Sequence, residues 1–307
     1  MRDLTLDVIR GHNMIMGELF KKRIYELLHS LTVPNGDNGV SFTCLDRLDR
    51  IEEELKGSRF EFCHKGNLFH AYAQMPFEEL PRKIIVISSH VDFRNGTRDC
   101  FSDESTPGYL VGTYDNSITN AAIVALMKER ILPPNVVVVF TGDEEEEQGG
   151  ASQFSDYILQ ELKLKAKCIV LDVTESGEED GAVFTIENDC WKKKWGRSVL
   201  KWANNNEMLW KYVPYKKSRL EKKLIKELVS DENRIEMIAD MDETSTYYEG
   251  NGIRCFSFCI PVQLMDPDGK HAPNGEGMHS AKGLKVLKVA YEYYIQALYE
   301  VIWVTSE

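Results

Sequence analysis

Three runs of consecutive apolar residues constrain the fold more than any other feature of the sequence. They cover residues 84–87, 136–140 and 168–171, and a further strand pattern covers 254–260. Strands that are apolar without alternation suit a sheet buried on both faces, which is typical of parallel sheets. Helical patterns lie between the runs, at 121–129 and 151–162. This alternation of strand and helix predicts an α/β sandwich.

The flanking segments have weaker patterns. Apolar residues at helical spacing predict helices over 4–31 and 45–55, and a long closing helix over 284–301. Two strands over 59–63 and 68–73 are predicted to pair through a turn at Gly66-Asn67. We expect one catalytic domain over 1–307, with a helical and hairpin segment over 1–80 and a basic, Trp-rich insertion at about 189–232.

Composition excludes several classes of protein. The 307 residues are 43% hydrophobic, enough for a sizeable core, and the net charge of −12 disfavours binding to nucleic acid or anionic membranes. No stretch of 18 apolar residues predicts a transmembrane helix, and residues 1–15 lack the pattern of a signal peptide. The seven cysteines are odd in number and include no Cys-x-x-Cys. We therefore expect a cytoplasmic protein with free thiols.

The segment 191–226 departs from this acidic character. It contains twelve Lys or Arg, only two Glu and four of the five tryptophans. A basic and aromatic stretch can bind nucleic acid or an acidic partner. However, Trp191, Trp195 and Trp202 share one face of a helix, which favours a core-facing stripe with a solvated lysine face. We expect no nucleic-acid partner and no membrane partner.

Histidine and acidic residues follow the apolar runs, and ligands of open α/β sheets bind beyond the carboxyl ends of the strands. His90 can coordinate a metal, and Asp92 is placed to orient its imidazole. Asp115 precedes a predicted helix, Asp172 ends an apolar run, and His279 precedes the last helix. Each residue alone has an ordinary explanation as a core histidine, a helix cap or a turn residue. Together they suit zinc or a related divalent ion.

The four glutamates at 144–147 directly follow the strand at 136–140. Such a charge run is usually a solvated face, but crowded carboxylates at a strand end repel one another unless cations or protons relieve them. Adjacent glutamates can divide two tasks, in which one ligates a metal and the other is a general base. The order within the run stays open, since Glu146 could be a ligand in place of Glu145.

The ordered set Ser89-His90-Val91-Asp92, Asp115-Asn116, Gly142-Asp143-Glu144-Glu145, Asp172 and Met278-His279-Ser280 resembles the co-catalytic dizinc exopeptidase superfamily. The resemblance covers about residues 83–300. It implies a three-layer sandwich with a central mixed, mostly parallel sheet flanked by helices. The short spacing between His90 and Asp115 and between Asp172 and His279 fits the single-domain leucyl-aminopeptidase-like and glutamate-carboxypeptidase-like families best.

The resemblance also implies roles for individual residues. Asp115 would bridge two zinc ions, and the peptide bond after it is cis in many relatives. One ion would be completed by His90 and Asp172, and the other by Glu145 and His279. Glu144 would be the general base for a hydroxide that bridges the ions, and Asp92 would support His90. Asp242 lies in a segment that resembles the surroundings of the substrate pocket, and Tyr247 or Tyr248 could polarise the substrate carbonyl.

The resemblance implies a zinc-dependent metallopeptidase, most simply an aminopeptidase-type exopeptidase that acts on peptides. Manganese or cobalt fits the same ligands as two zinc ions. Three further functions fit the same residues: an acylase- or carboxypeptidase-type amidohydrolase that acts on acyl-amino acids, a one-zinc glutaminyl-cyclase-like acyltransferase, and a binding module that has lost catalysis. The substrate and the oligomeric state stay open at this point.

Overall fold

The computed structural model describes residues 17–33, 43–92, 100–145, 147–190, 195–206, 208–213, 242–265 and 283–306. The strands in these ranges are β1 (Phe62–Lys65), β2 (Phe69–Ala73), β3 (Lys83–His90), β4 (Ser102–Asp103), β5 (Tyr109–Gly112), β6 (Val136–Thr141), β7 (Lys165–Thr174), β8 (Phe184–Glu187), β9 (Trp210–Val213), β10 (Arg254–Pro261), β11 (Gln263–Leu264) and β12 (Leu284–Leu287). The helices are α1 (Glu18–Thr32), α2 (Cys44–Leu55), α3 (Ser117–Glu129), α4 (Gly149–Asp156), α5 (Trp195–Asn205) and α6 (Lys288–Ser306).

Eight strands form the main sheet, in the order β1-β2-β6-β3-β7-β10-β8-β9. The four central strands, β6, β3, β7 and β10, are parallel to one another, and β8 and β9 form a further parallel pair. The remaining pairs are antiparallel. A second sheet of four short antiparallel strands has the order β11-β12-β5-β4. The predicted fold class, a mixed and mostly parallel sheet flanked by helices, is confirmed.

Alternate residues of the central strands pack against two separate layers. Ile85 and Ile87 of β3 belong to a core shared with α1, α2, α3, α5 and α6. Ile84 and Val86 belong to a core on the opposite face, shared with α4. Because both faces are covered, every residue of β6 is buried, and each such apolar side chain contributes about 1.5–3 kcal/mol relative to full exposure. The layers are therefore helix, sheet and helix.

Two helices lie before β1 in the described part of the chain. Helix α2 begins with a capping box, in which Thr43 Oγ1 accepts a hydrogen bond from the Asp46 main-chain N–H and the Asp46 side chain accepts one from the N–H of Thr43. The prediction over 45–55 agrees with α2 to within one residue. The helix predicted over 4–31 is α1 where it is described, and residues 1–16 lie outside the described residues.

Two boundaries differ from the predictions. Leu284–Leu287, expected to open the closing helix, form strand β12, which pairs with β5 before α6 begins at Lys288. Leu284 and Val286 are buried there, so their alternation follows a strand rather than a helix. The hairpin strand expected from residue 59 begins at Phe62.

The predicted basic insertion supplies part of the main sheet. Its described residues form α5 and β9, and β9 extends the sheet edge by pairing with β8. Trp210 is buried in that strand, and Trp202 packs partly buried against the core. Residues 191–194 and 214–241, which include Trp191, lie outside the described residues. All seven cysteines are free thiols. No described helix is both long and apolar enough to cross a bilayer.

Candidate metal centre

The candidate centre lies at the carboxyl edge of the central strands. His90 is the last residue of β3, and Thr141, the last residue of the neighbouring β6, pairs with it. Asp172 lies two residues before the end of β7, the neighbour of β3 on the other side. Because parallel strands bring their carboxyl ends to one edge, residues far apart in sequence meet here.

The imidazole of His90 is surrounded by carboxylates. Its Nε2 lies 3.2 Å from Asp115 Oδ1 and 3.5 Å from Asp172 Oδ1. Its Nδ1 lies 3.4 Å from Asp92 Oδ1, the arrangement expected if Asp92 orients the ring. The His90 side chain is 3% exposed, whereas that of Asp115 is 23% exposed. The centre is thus buried on the histidine side and reachable from solvent on the carboxylate side.

Glu145 completes a compact group of potential ligands. One ligand atom each from His90, Asp115 and Glu145 lies within 4.8 Å of the others. Glu145 is held by its main chain, whose N–H donates to Asp92 Oδ2 at 3.1 Å. The structure therefore brings together His90, Asp92, Asp115, Glu145 and Asp172. His279 and Glu146 lie outside the described residues.

Asp115 does not come from the main sheet. It follows β5 of the small sheet and precedes α3. The peptide bond between Asp115 and Asn116 is cis, as the family resemblance implies. The loop that carries Asp115 is bound to the main sheet, because Asn116 Nδ2 donates to the Leu171 carbonyl of β7 at 2.7 Å. That bond places Asp115 beside Asp172.

A buried polar network at the start of α3 was missed by the sequence analysis. Asn120 Nδ2 donates to the His90 carbonyl at 3.0 Å, and Ser89 Oγ donates to Asn120 Oδ1 at 2.8 Å. Thr119 contacts both Ser89 and Asn116. The sequence carries a signal of this network, because Ser117, Thr119 and Asn120 are polar residues at the start of an otherwise apolar helix. All three are buried in the structure. Buried polar side chains in a core require partners, and here the partners are the backbone around the ligands.

Two buried glutamates near the centre were also missed. Glu243 is 1% exposed and accepts a hydrogen bond from Ser88 Oγ at 2.6 Å. Glu187 is 9% exposed and accepts one from Thr185 Oγ1 at 2.5 Å. Tyr247 is itself 1% exposed, and its hydroxyl contacts Ser88 Oγ at 2.9 Å. That burial leaves Tyr247 poorly placed to polarise a substrate carbonyl.

The network around Asp242 lies beyond these glutamates. Its carboxylate accepts hydrogen bonds from Asn188 Nδ2 at 3.2 Å, from the Ser257 hydroxyl and from the main-chain N–H of Thr244 at 2.9 Å. Asp242 is therefore committed to the interior, at 8% exposure. Its predicted position beside a substrate pocket stays a prediction.

The electrostatics of the centre couple His90 to its acidic neighbours. Burial alone would lower the pKa of His90, but the carboxylates of Asp115, Asp172 and Asp92 beside the ring outweigh burial and raise the pKa well above its ordinary value. Burial opposes ionisation of Asp92. The neighbouring His90 and the main-chain N–H groups of Glu145 and Glu144 outweigh burial and lower the pKa of Asp92. Asp92 therefore favours one orientation of the His90 ring.

The other carboxyl groups resist ionisation. Burial, reinforced by neighbouring carboxylates, raises the pKa of Glu144 to about 10, that of Glu145 to about 8 and that of Asp172 to about 6. Asp115 Oδ1 is buried and accepts no hydrogen bond from the described residues. Imidazole nitrogen and carboxylate oxygen are ligands that zinc takes, and bound cations would favour the ionised forms of Glu144, Glu145 and Asp172. The residues present therefore fit a zinc centre.

Comparison with known proteins supports the fold. No protein-family model matches the chain, and no curated protein matches it in sequence. Among solved structures, the dodecameric PhTET1-12s has a TM-score of 0.55 at 10% identity, over 91% of this chain and 98% of that one. The LapA aminopeptidase of Legionella pneumophila has a TM-score of 0.52 at 14% identity, over 94% and 71% of the two chains.

A third structure widens the range of chemistries on this fold. The glutaminyl cyclase of Porphyromonas gingivalis has a TM-score of 0.53 at 12% identity, over 93% of this chain and 99% of that one. All three similarities cover at least nine-tenths of the chain at low identity. They establish a zinc-exopeptidase-like fold, and the chemistry has to be argued from the residues.

Proposed function

We propose that the chain is a zinc-dependent exopeptidase of the aminopeptidase type, with two metal ions held by His90, Asp115, Glu145, Asp172 and His279. The observation that carries the proposal is the compact group of His90, Asp115 and Glu145, with ligand atoms within 4.8 Å of one another. The fold shared with an aminopeptidase supports it. Binding of manganese or cobalt by the same ligands is part of the proposal.

Zinc, when bound, supplies Lewis acidity that polarises a scissile carbonyl and makes water reactive near neutral pH. The chain provides the rest. Asp115 lies in reach of both His90 and Glu145, and it would be the ligand that the two ions share. Asp92 supports the centre from outside, because it faces His90 Nδ1 and also accepts the N–H of Glu145.

Proton transfer is assigned to Glu144, which precedes the ligand Glu145. Glu144 is half-buried and acts electrostatically on His90 and Asp172. In the ionised form it takes a proton from the attacking water and then passes it to the leaving amine.

A second candidate is a one-zinc acyltransferase that cyclises an amino-terminal glutaminyl residue. Two observations favour this candidate. The compact group contains three ligands, the number that a single catalytic zinc needs, and a glutaminyl cyclase shares the fold over nearly its whole length. The aminopeptidase and the acyltransferase would use the same residues and differ in metal count and product.

The test combines metal quantification with a substrate screen. The purified chain is loaded with zinc, dialysed, and analysed for zinc per chain by elemental analysis. Its activity is then measured on aminoacyl amides, on dipeptides with free or acetylated amino termini, on acyl-amino acids, and on peptides that begin with glutamine.

Two zinc ions per chain, with release of the first residue only from free amino termini, are the expected result. One zinc ion with cyclisation of amino-terminal glutamine establishes the second candidate instead. Cleavage of acyl-amino acids in place of aminoacyl amides points to the acylase type. A chain that binds zinc no better than its Asp115→Asn, Glu145→Gln double variant contradicts the proposal.

A further inference from the structure

A buried arginine in the N-terminal helical layer lies directly beneath the candidate centre. Arg47, in the first turn of α2, is 0% exposed. Its Nε donates to the Leu31 carbonyl at 3.0 Å, and its Nη1 donates to the Val91 carbonyl at 3.0 Å. Val91 lies between His90 and Asp92. The side chain therefore joins α1 and α2 to the loop that carries a proposed ligand and its supporting carboxylate.

Burying a guanidinium is costly, so its position calls for a physical reason. Desolvation of an ion costs several kcal/mol after relaxation, and an apolar side chain of similar size would avoid that cost. Burial lowers the pKa of Arg47 to about 10, which leaves it charged at neutral pH. Leu31 lies in the last turn of α1, where carbonyls lack helical partners and a positive charge is favourable. Helix capping explains one of the two bonds.

The bond to Val91 has a different role. The main chain of residues 90 and 91 is anchored by three elements. The His90 carbonyl accepts from Asn120 of α3 at 3.0 Å, and the Val91 N–H donates to the Thr141 carbonyl of β6 at 2.7 Å. Arg47 provides the third anchor, on the Val91 carbonyl. With these groups fixed, the side chains on either side of Val91 have little freedom to turn.

The charge of Arg47 also acts on the centre. Burial lowers its pKa, while the thiols of Cys100 and Cys44 and the carboxylates of Asp92 and Asp115 act in the opposite direction. These carboxylates are therefore close enough for electrostatic attraction to the guanidinium. A fixed positive charge behind the centre offsets part of the repulsion among the carboxylates before any cation is bound.

We infer that Arg47 is a positioning residue of the metal centre, which holds the His90–Asp92 segment through the Val91 carbonyl and thereby sets the geometry and affinity of the site. This inference rests on the proposed function, because it requires that His90 ligate a metal. It assigns a role at the centre to the N-terminal segment 1–80, from which the family resemblance predicted little. Supporting residues of this kind typically change metal affinity by about 10–100-fold.

The experiment measures the metal directly. Wild type, Arg47→Met and Arg47→Lys are compared with Leu48→Ala, a neighbour in α2 that is 1% exposed and packs in the same core. Zinc affinity is measured by competition with a chromophoric chelator. The visible absorption spectrum of the cobalt-loaded protein reports ligand geometry, and thermal unfolding reports stability.

The Arg47→Met variant is expected to bind zinc at least about tenfold more weakly and to show a changed cobalt spectrum. Arg47→Lys keeps the charge but has one nitrogen for two carbonyls, so intermediate values are expected. Leu48→Ala is expected to unfold at a lower temperature with wild-type affinity and spectrum. Where Arg47→Met does not fold, the comparison of Arg47→Lys with Leu48→Ala decides.

Wild-type affinity and spectrum in the folded Arg47 variants, or the same loss of affinity in Leu48→Ala, would overturn the inference. Absence of zinc binding by the wild type would instead overturn the proposed function. The two failures are therefore distinguishable in one set of measurements.

Discussion

Asp92 accepts a hydrogen bond from the main-chain N–H of Glu145 at 3.1 Å while its other oxygen faces His90 Nδ1 at 3.4 Å. One carboxylate thus supports two proposed ligands, one from the end of β3 and one from the loop after β6. The two segments are therefore coupled before any metal binds. Substitution of Asp92 is therefore expected to disturb the positions of both His90 and Glu145.

Replacement of Asp92 by Asn tests this coupling. The amide keeps one acceptor oxygen but loses the charge that favours the oriented imidazole, so zinc affinity is expected to fall about 10–100-fold. Zinc competition measures the effect. Asp156→Asn, at an exposed position on α4, is the control and should bind zinc like the wild type. Equal affinity in the two variants would contradict the supporting role of Asp92.

Replacement of Glu144 by Gln tests the general base. The amide has the same shape but cannot accept a proton, so turnover is expected to fall about 10²–10⁴-fold while zinc content is retained. Glu147→Gln in the same run is exposed and should keep full activity. Steady-state rates on the best substrate from the screen, with metal analysis of each variant, measure both. An undiminished rate in Glu144→Gln would reject the assignment.

Zinc removal tests whether the carboxylates around His90 bind a metal that stabilises the fold. Chelation is expected to lower the unfolding temperature, because a ligand at 1,000 times its dissociation constant stabilises the folded state by about 4 kcal/mol. Asp115→Asn should abolish this stabilisation. Calorimetry with and without zinc measures both effects.

Much of this fold could be predicted because its information is local. The strands β3, β6 and β7 contain continuous apolar runs, and the apolar pattern of β10 is interrupted only by Ser257; doubly buried strands have few other compositions. Strand β12 was misassigned to the helix that follows it. Its four residues are too few for an apolar–polar alternation to distinguish a strand from a helix. Its partner β5 lies far away in sequence, and pairing of that kind leaves no local signal.

The candidate site divides in the same way. Residues such as His90 and Glu145 are conspicuous because charged groups directly follow apolar strands. Arg47 and Glu243 are not, since each lies in a mixed, charged segment and only the tertiary structure buries it. Asp115 lies beside His90, but its origin in the small sheet could not be deduced from chain order.

The pH dependence of stability tests the buried glutamates. Burial raises the pKa of Glu187 and of Glu243 to about 7, above the ordinary value of 4.5. The folded state then binds more protons than the unfolded state between these values, so stability falls as pH rises. The metal-free chain is expected to gain stability as pH falls from about 7 toward 4.5.

Denaturant unfolding at several pH values should show a weaker pH dependence of stability in Glu187→Gln. The dependence should be unchanged in Glu179→Gln, which is exposed. A wild-type pH slope in Glu187→Gln would contradict this account.

A substitution at Gly150 tests how tightly the loop over residues 142–150 is packed. Its N–H donates to the Gly142 carbonyl at 3.0 Å, which joins the two ends of the loop that carries Glu144 and Glu145. A Cβ at Gly150 would lie 2.5 Å from the Gly142 carbonyl oxygen and 2.6 Å from that of Leu68, and both are backbone atoms that can yield only if the loop moves.

Gly150→Ala is therefore expected to destabilise the chain by at least about 1–3 kcal/mol, as overpacking does. It should also weaken zinc binding, because the displaced loop carries Glu145. Gly17→Ala is the matched control, since a Cβ there meets no atom within 4 Å. Denaturant unfolding and zinc competition measure the two effects. Wild-type stability in Gly150→Ala would show that the loop is open enough to accommodate a methyl group, and lost stability with full zinc affinity would show that loop closure and metal binding are independent.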